Sequence, residues 1–344
     1  MHPPEGGHGP WNLRSLLDFD RPSHAAWSDV VRGAGITTLL GWIALTLNDP
    51  GALLPLTLGS VFTAIAETGQ GREHPWRTMA WTTSWLTLAA GFGAAVGENA
   101  PLAVLTSGAM GLICASAATH HTRTAVTSLL TLVVFTIYVG YPGPMVSALH
   151  DMGLILLGGL IQTLGCSVVR ACQQVKHEQL CIPPLWTNLK AFHPSDVHVR
   201  HGIRLAITLM LATAISESSG WPHQYWLPMS VAWMSKAQLP STCNRVAHRL
   251  LGTLLGLGGI TLVVRWINPQ GADWLPLSLL GAGILIAYIW VHYATAVVGV
   301  TIWIVAAFAL VGDPVANSIS NRMIDTTIAA AIVLLAVWID SRAN

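Results

Sequence analysis

Runs of about 16–22 mostly apolar residues follow one another along this chain, parted by short polar or Pro/Gly-rich breaks. In the first half the breaks delimit segments 30–47, 51–66, 77–97, 101–119, 123–140 and 149–170. In the second they delimit 201–218, 224–239, 246–267, 274–290, 294–311 and 321–340. Each approaches the ~20 residues a helix needs to cross a bilayer core. Segments 51–66 and 224–239 contain Pro55 and Pro228, which remove a backbone donor. A kink or break is expected in the second and eighth helices, with the freed backbone covered by protein or by a wet cavity.

The two sets of segments repeat each other. Arg32 and Arg204, Arg77 and Arg249, His120 and His292, and Arg170 and Arg342 are all 172 residues apart, and Leu54-Pro55 and Leu227-Pro228 follow the same rule shifted by one. An even number of spans per half makes the repeat parallel. Many transporters are built this way, with the pathway between two halves. The expected fold is all-α and polytopic, with about twelve transmembrane helices in two parallel six-helix repeats. Residues 1–28 read as a cytoplasmic tail with a short surface helix near Trp11–Phe19, 29–170 as the first repeat, 171–200 as a cytoplasmic linker and 201–344 as the second repeat.

Composition agrees: 52% of residues are hydrophobic and 10% charged, with a mean hydropathy of +0.54. A soluble domain carries about a quarter charged residues. With the N-terminus in the cytoplasm, fifteen Lys/Arg fall inside and only Arg265 and Arg322 outside, as the positive-inside rule requires. Both termini are then cytoplasmic, in a bacterial inner membrane. The lipid bilayer is the surrounding partner, and no basic cluster suggests nucleic acid. The N-terminus lacks the pattern of a signal peptide. The five cysteines form no C-x-x-C pair and suggest neither disulfides nor a metal site. No hydrolase, zinc-protease or phosphate-loop motif occurs, so no enzyme, cofactor or ATP-driven activity is read.

The stretch from Val199 to Val264 opens with an Arg-led apolar helix, VRHGIRLAITLM. A "YWLP" entry, a polar patch and an "NRVAHRLLGT" helix follow. This resembles the fusaric acid resistance, or aromatic acid exporter, family, whose membrane module is similar to that of plant aluminium-activated malate transporters. The first half carries a weaker version, in VVRGAGITTLLGW, ALLPLTLGSVFTAIAE and PWRTMAWTTSWLTLAAG. The resemblance implies export of small organic anions, aromatic carboxylates above all. A periplasmic adaptor continues the route outward in some relatives. A proton gradient is the drive first considered. A passive anion channel on the same bundle is the second reading, and a non-transporting membrane assembly subunit the third. A homo-oligomer stays open.

Ionisable groups in apolar segments are the default functional candidates. His120 and His292, matched by the repeat, could line one conduit and pass protons, or cap helix ends. Lys236, Arg77 and Arg249, with Arg72 and Arg245, could gather anions into a vestibule, or anchor helix ends. Asp325 and Glu67 are proton-coupling candidates, Asp325 also as the partner of Arg322 one turn earlier. Trp226 and Trp233, seven residues apart around Pro228, could stack on an aromatic substrate or pack in the core. Gly252-x-x-x-Gly256 suits close helix packing.

Overall fold

The computed structural model describes residues 27–68, 75–118, 122–172, 197–221, 223 and 225–342. The tail, most of the linker, Arg72 and His120 lie outside these residues. Among the described residues there are twelve α-helices and no strand. They are α1 (Trp27–Thr46), α2 (Pro50–Thr68), α3 (Pro75–Gly97), α4 (Ala100–Ala117), α5 (Thr122–Val139), α6 (Met145–Cys172), α7 (Val197–Ser219), α8 (Trp226–Met234), α9 (Leu239–Trp266), α10 (Trp274–Tyr288), α11 (Tyr293–Leu310) and α12 (Val315–Arg342). Eight segments are long and apolar enough to cross a membrane. They comprise α2, α4, α6, α7, α9, α11, α12, and α10 with the short turn before it.

Local chemistry sets the ends. Asn48, Gly220, Asn268 and Gly312 follow α1, α7, α9 and α11 with positive φ, the left-handed conformation that stops a helix. The Asn99 side chain accepts from Leu102 N at the start of α4, and His292 accepts from Thr295 N at the start of α11. Short connections make successive helices antiparallel. One end of the bundle therefore collects Arg32, Arg77, Arg170, Arg200 and Arg204, and is called the basic face below.

In the first half α1 packs on α2, α2 on α6, and α3 on α5 and α6. In the second α7 packs on α8, α8 on α12, and α9 on α11 and α12. The halves meet where α4 lies on α7 and α10 on α1. Small residues allow the closest approaches. A Cβ on Gly59 would meet the Ile155 backbone, and one on Gly158 the Leu56 carbonyl, so α2 and α6 touch main chain to main chain. Gly252 and Gly256 sit likewise against Val297 and Thr301 of α11.

The helices that hold Pro55 and Pro228 are the most enclosed, α8 along its whole length. They respond to proline differently. Pro55 sits inside an unbroken α2, where the expected break is absent. Gly51, whose carbonyl loses its helical partner, stands with Pro55 at a cavity wall. Segment 224–239 gives only a nine-residue helix, about 14 Å long and too short to cross a bilayer. Pro228 falls in the first turn of α8, where no helical donor is missed. The break comes later, at Ser235, which is extended. Arg204, seven residues inside α7, donates to the carbonyls of Lys236 and Ala237, and Arg245 Nε donates to Trp233 O at 3.3 Å. Two arginines thus hold an unwound segment recessed from the basic face.

Candidate functional site

A cavity of about 340 Å3 lies between the halves. Its walls come from α2, α5, α6, α8, α9, α10 and α11 and are mostly apolar and aromatic, with Phe62, Trp233, Trp303 and Phe308 prominent. Arg249 is the one cation on its wall. Exposed Pro50, Gly51 and Tyr141 stand at the end away from the basic face. At the opposite end Ile65, Arg249, Tyr293 and Trp233 are all buried and close it.

The closed end centres on Tyr293. The Arg245 guanidinium lies 3.3 Å from the centre of its ring, and the Trp233 ring is 6.4 Å from it. Arg249 Nη1 donates to Tyr293 Oη over 3.4 Å, a long bond, while Arg249 Nε is buried with no partner. Arg249 is 2% exposed. A buried guanidinium stays charged, and leaving it without an acceptor costs several kcal/mol. The site can recover that energy by taking a carboxylate, whose two oxygens match the guanidinium fork. Apolar walls suit the rest of such a ligand: an apolar cavity of about 150 Å3 already holds benzene. The floor also ties the halves together, since Trp290 Nε1 donates to Ile65 O at 3.1 Å.

Near the other end, His223 sits at φ 61°, an uncommon conformation for a residue with a side chain. It stacks on Trp226 at 4.4 Å, meets Phe308 edge-on and bonds Asp313 Oδ2 at 2.9 Å. Burial lowers the imidazole below its ordinary 6.5, although the Asp313 bond and charge oppose this; Arg322 adds to the lowering. Asp151 stands at this end of the cavity too, beside Tyr138 and Tyr141.

Of the residues singled out by sequence, Arg249, Trp233 and Pro55 line the cavity. Pro228 and Trp226 are buried in α8, with Trp226 under His223. Lys236 lies in a separate recess with Val197, His198, Gln238 and Ser241. Arg77 lies over Trp76 at the start of α3, 5.1 Å from the ring centre. His292 caps α11 and approaches His248, with ring centres 5.2 Å apart. Glu67 accepts from Arg32 and from the Cys166 thiol at 3.0 Å, with Arg170 4.0 Å away. That cluster ties α1, α2 and α6 together away from the cavity. Asp325 is buried on α12, and its attraction to Arg322 acts beyond contact distance, since Arg322 Nε and Nη2 have no partner. Tyr293 and Tyr225 were not singled out, and Arg322 only as a partner for Asp325. An arginine inside an apolar segment was a usable signal for Arg322; nothing in the pattern marked the tyrosines.

Residues 211–336 match the family model described as fusaric acid resistance protein-like. An uncharacterized protein of Synechocystis is 29% identical over 47% of this chain and 22% of its own length. The inner membrane protein YccS of Escherichia coli is 29% identical over 44% of this chain and 21% of its own. An uncharacterized protein of Haemophilus influenzae is 26% identical over 40% of this chain and 19% of its own. The matched part spans about a fifth of these curated relatives. No solved structure matches. A chain with this match and eight membrane-length apolar helices is a multi-spanning membrane protein.

Proposed function

We propose that this protein is an inner-membrane transporter that exports small organic anions, with aromatic monocarboxylates as its substrates. One observation carries the reading: the cavity between the halves joins aromatic walls to a single buried, under-partnered arginine. The family match over residues 211–336 supports it.

The two halves act as parallel six-helix repeats. This is supported by the packing, because most helix neighbours in the first half have counterparts six helices later, including the exchanged pair α4–α7 and α10–α1. With the basic face in the cytoplasm, Lys236 and its recess form the vestibule that draws anions in. Arg249 receives the carboxylate once the Tyr293, Arg245 and Trp233 floor moves aside, and the ring passes along the aromatic walls. The unwound segment after α8, held through its carbonyls by Arg204 and Thr242, is the element placed to move. Asp325, buried and without a contact partner, is the carboxylate that couples the cycle to protons; Glu67 is committed to Arg32. An apolar cavity with one end closed favours alternating access over a continuous anion pore.

The test is efflux from proteoliposomes loaded with benzoate or, as an aliphatic control, acetate, with and without a proton gradient. Saturable benzoate efflux that accelerates with the gradient and falls at least tenfold in Arg249→Gln supports the reading. Equal rates for wild type and empty liposomes overturn it, and currents of channel size would replace the pump with a pore.

A further inference from the structure

Arg322 sits on α12 behind the cavity wall, 2% exposed. Its guanidinium lies over the Trp226 ring, 5.2 Å from the centre. Nε and Nη2 are buried without partners, and so is Ser318 Oγ, one turn earlier on the same helix face, while Trp226 Nε1 has only the neighbouring Tyr225 hydroxyl to turn to. Arginine and tryptophan nitrogens only donate, and a serine hydroxyl can. Unfilled donors gathered around a fixed positive charge match one kind of ligand, an anion rich in lone pairs.

The surroundings supply no such acceptor at contact distance. From α12 itself Asp325 acts only at longer range. From α9 comes Arg249, which repels Arg322, and from α11 and the approach to α8 come Tyr293 and Tyr225. Beyond Trp226, Asp313 already bonds His223. The two arginines are placed differently: Arg249 lines the open cavity, whereas Arg322 is not on its wall.

We infer that Arg322, Trp226 and Ser318 form a second, compact site for one small monovalent anion, separate from the cavity. Its chemistry fits a halide or the carboxylate head of a substrate on its way out. Asp325 is the resident competitor for the same guanidinium, so removing its charge strengthens anion binding. The carboxylate form of the inference rests on the transport reading above; the halide form does not.

Thermal unfolding of the purified full chain, moved from chloride-free gluconate buffer into sodium chloride or sodium benzoate, tests this. Wild type is expected to show saturable stabilisation by chloride. Arg322→Gln abolishes it, and Trp226→Phe, which keeps the ring and loses one N–H, weakens apparent chloride affinity by about tenfold. Asp325→Asn tightens it several-fold, and Arg249→Gln leaves it intact. Benzoate stabilisation that survives in Arg249→Gln and vanishes in Arg249→Gln with Arg322→Gln assigns the site to carboxylates; its absence in Arg249→Gln assigns the site to halides. No saturable chloride effect in wild type, or an equal one in Arg322→Gln and Trp226→Phe, overturns the second site. Loss of every benzoate effect in wild type with the chloride effect intact sinks the transport reading and leaves this one standing.

Discussion

Two side chains set the behaviour of the cavity at its ends. At the floor, Arg249 offers a charged donor with nothing adequate to receive it. Replacing it with glutamine removes hydrogen bonds to a charged ligand worth about 1.5–3 kcal/mol, so benzoate affinity should fall between about 10-fold and 150-fold in a calorimetric titration. An unchanged Kd would detach Arg249 from binding. At the opposite end His223 prefers to stay neutral, its value depressed below 6.5 chiefly by burial. As pH falls below that value the unfolded chain binds the proton before the folded one does, so stability is intact above it and declines below. The expected readout is a melting temperature that drops between pH 7 and 5.5 in wild type and drops less in His223→Gln. Much at this scale was legible from spacing. The 172-residue repeat singled out Arg249 together with Arg77, but only packing separates them, since one faces the cavity and the other lies over Trp76. Lys236 stood foremost among the cations, at the end of an apolar run, and the break after α8 takes it to a different recess.

Proline reads ambiguously at the level of elements. Both prolines predicted a kink or a break; α2 runs unbroken through Pro55, while α8 stops six residues after Pro228. What decides is the main chain around them: α2 is fixed backbone to backbone on α6, whereas the end of α8 is held by Arg204 and Arg245. Arg204→Ala removes donors to two carbonyls and its pair with Asp340. It should cost about 2–4 kcal/mol and expose residues 235–238 to proteolysis; a wild-type digestion pattern would show the segment does not depend on it. Gly158→Ala forces a methyl into the Leu56 carbonyl and should lower stability by about 1–3 kcal/mol. Normal stability would mean that α2 and α6 can separate freely. Hydropathy alone found every helix in roughly its place, because lipid-facing and core-facing residues are both apolar here. It could not show that one of the twelve segments is mostly non-helical at its ends.

Across the whole molecule, the claim is that two like-oriented halves enclose one binding chamber. The repeat spacing leads to the expectation of a shared chamber. The walls that make it aromatic come from α2, α8 and α11 together, a convergence that no single segment displays. The measurement that bears on this most directly is a density map of the protein with 4-bromobenzoate, whose heavy atom marks the ring. The account predicts bromine between Phe62, Trp303 and Phe308, with the carboxylate against Arg249. Ligand density confined to the outer surface of the bundle, with an empty chamber, would contradict it.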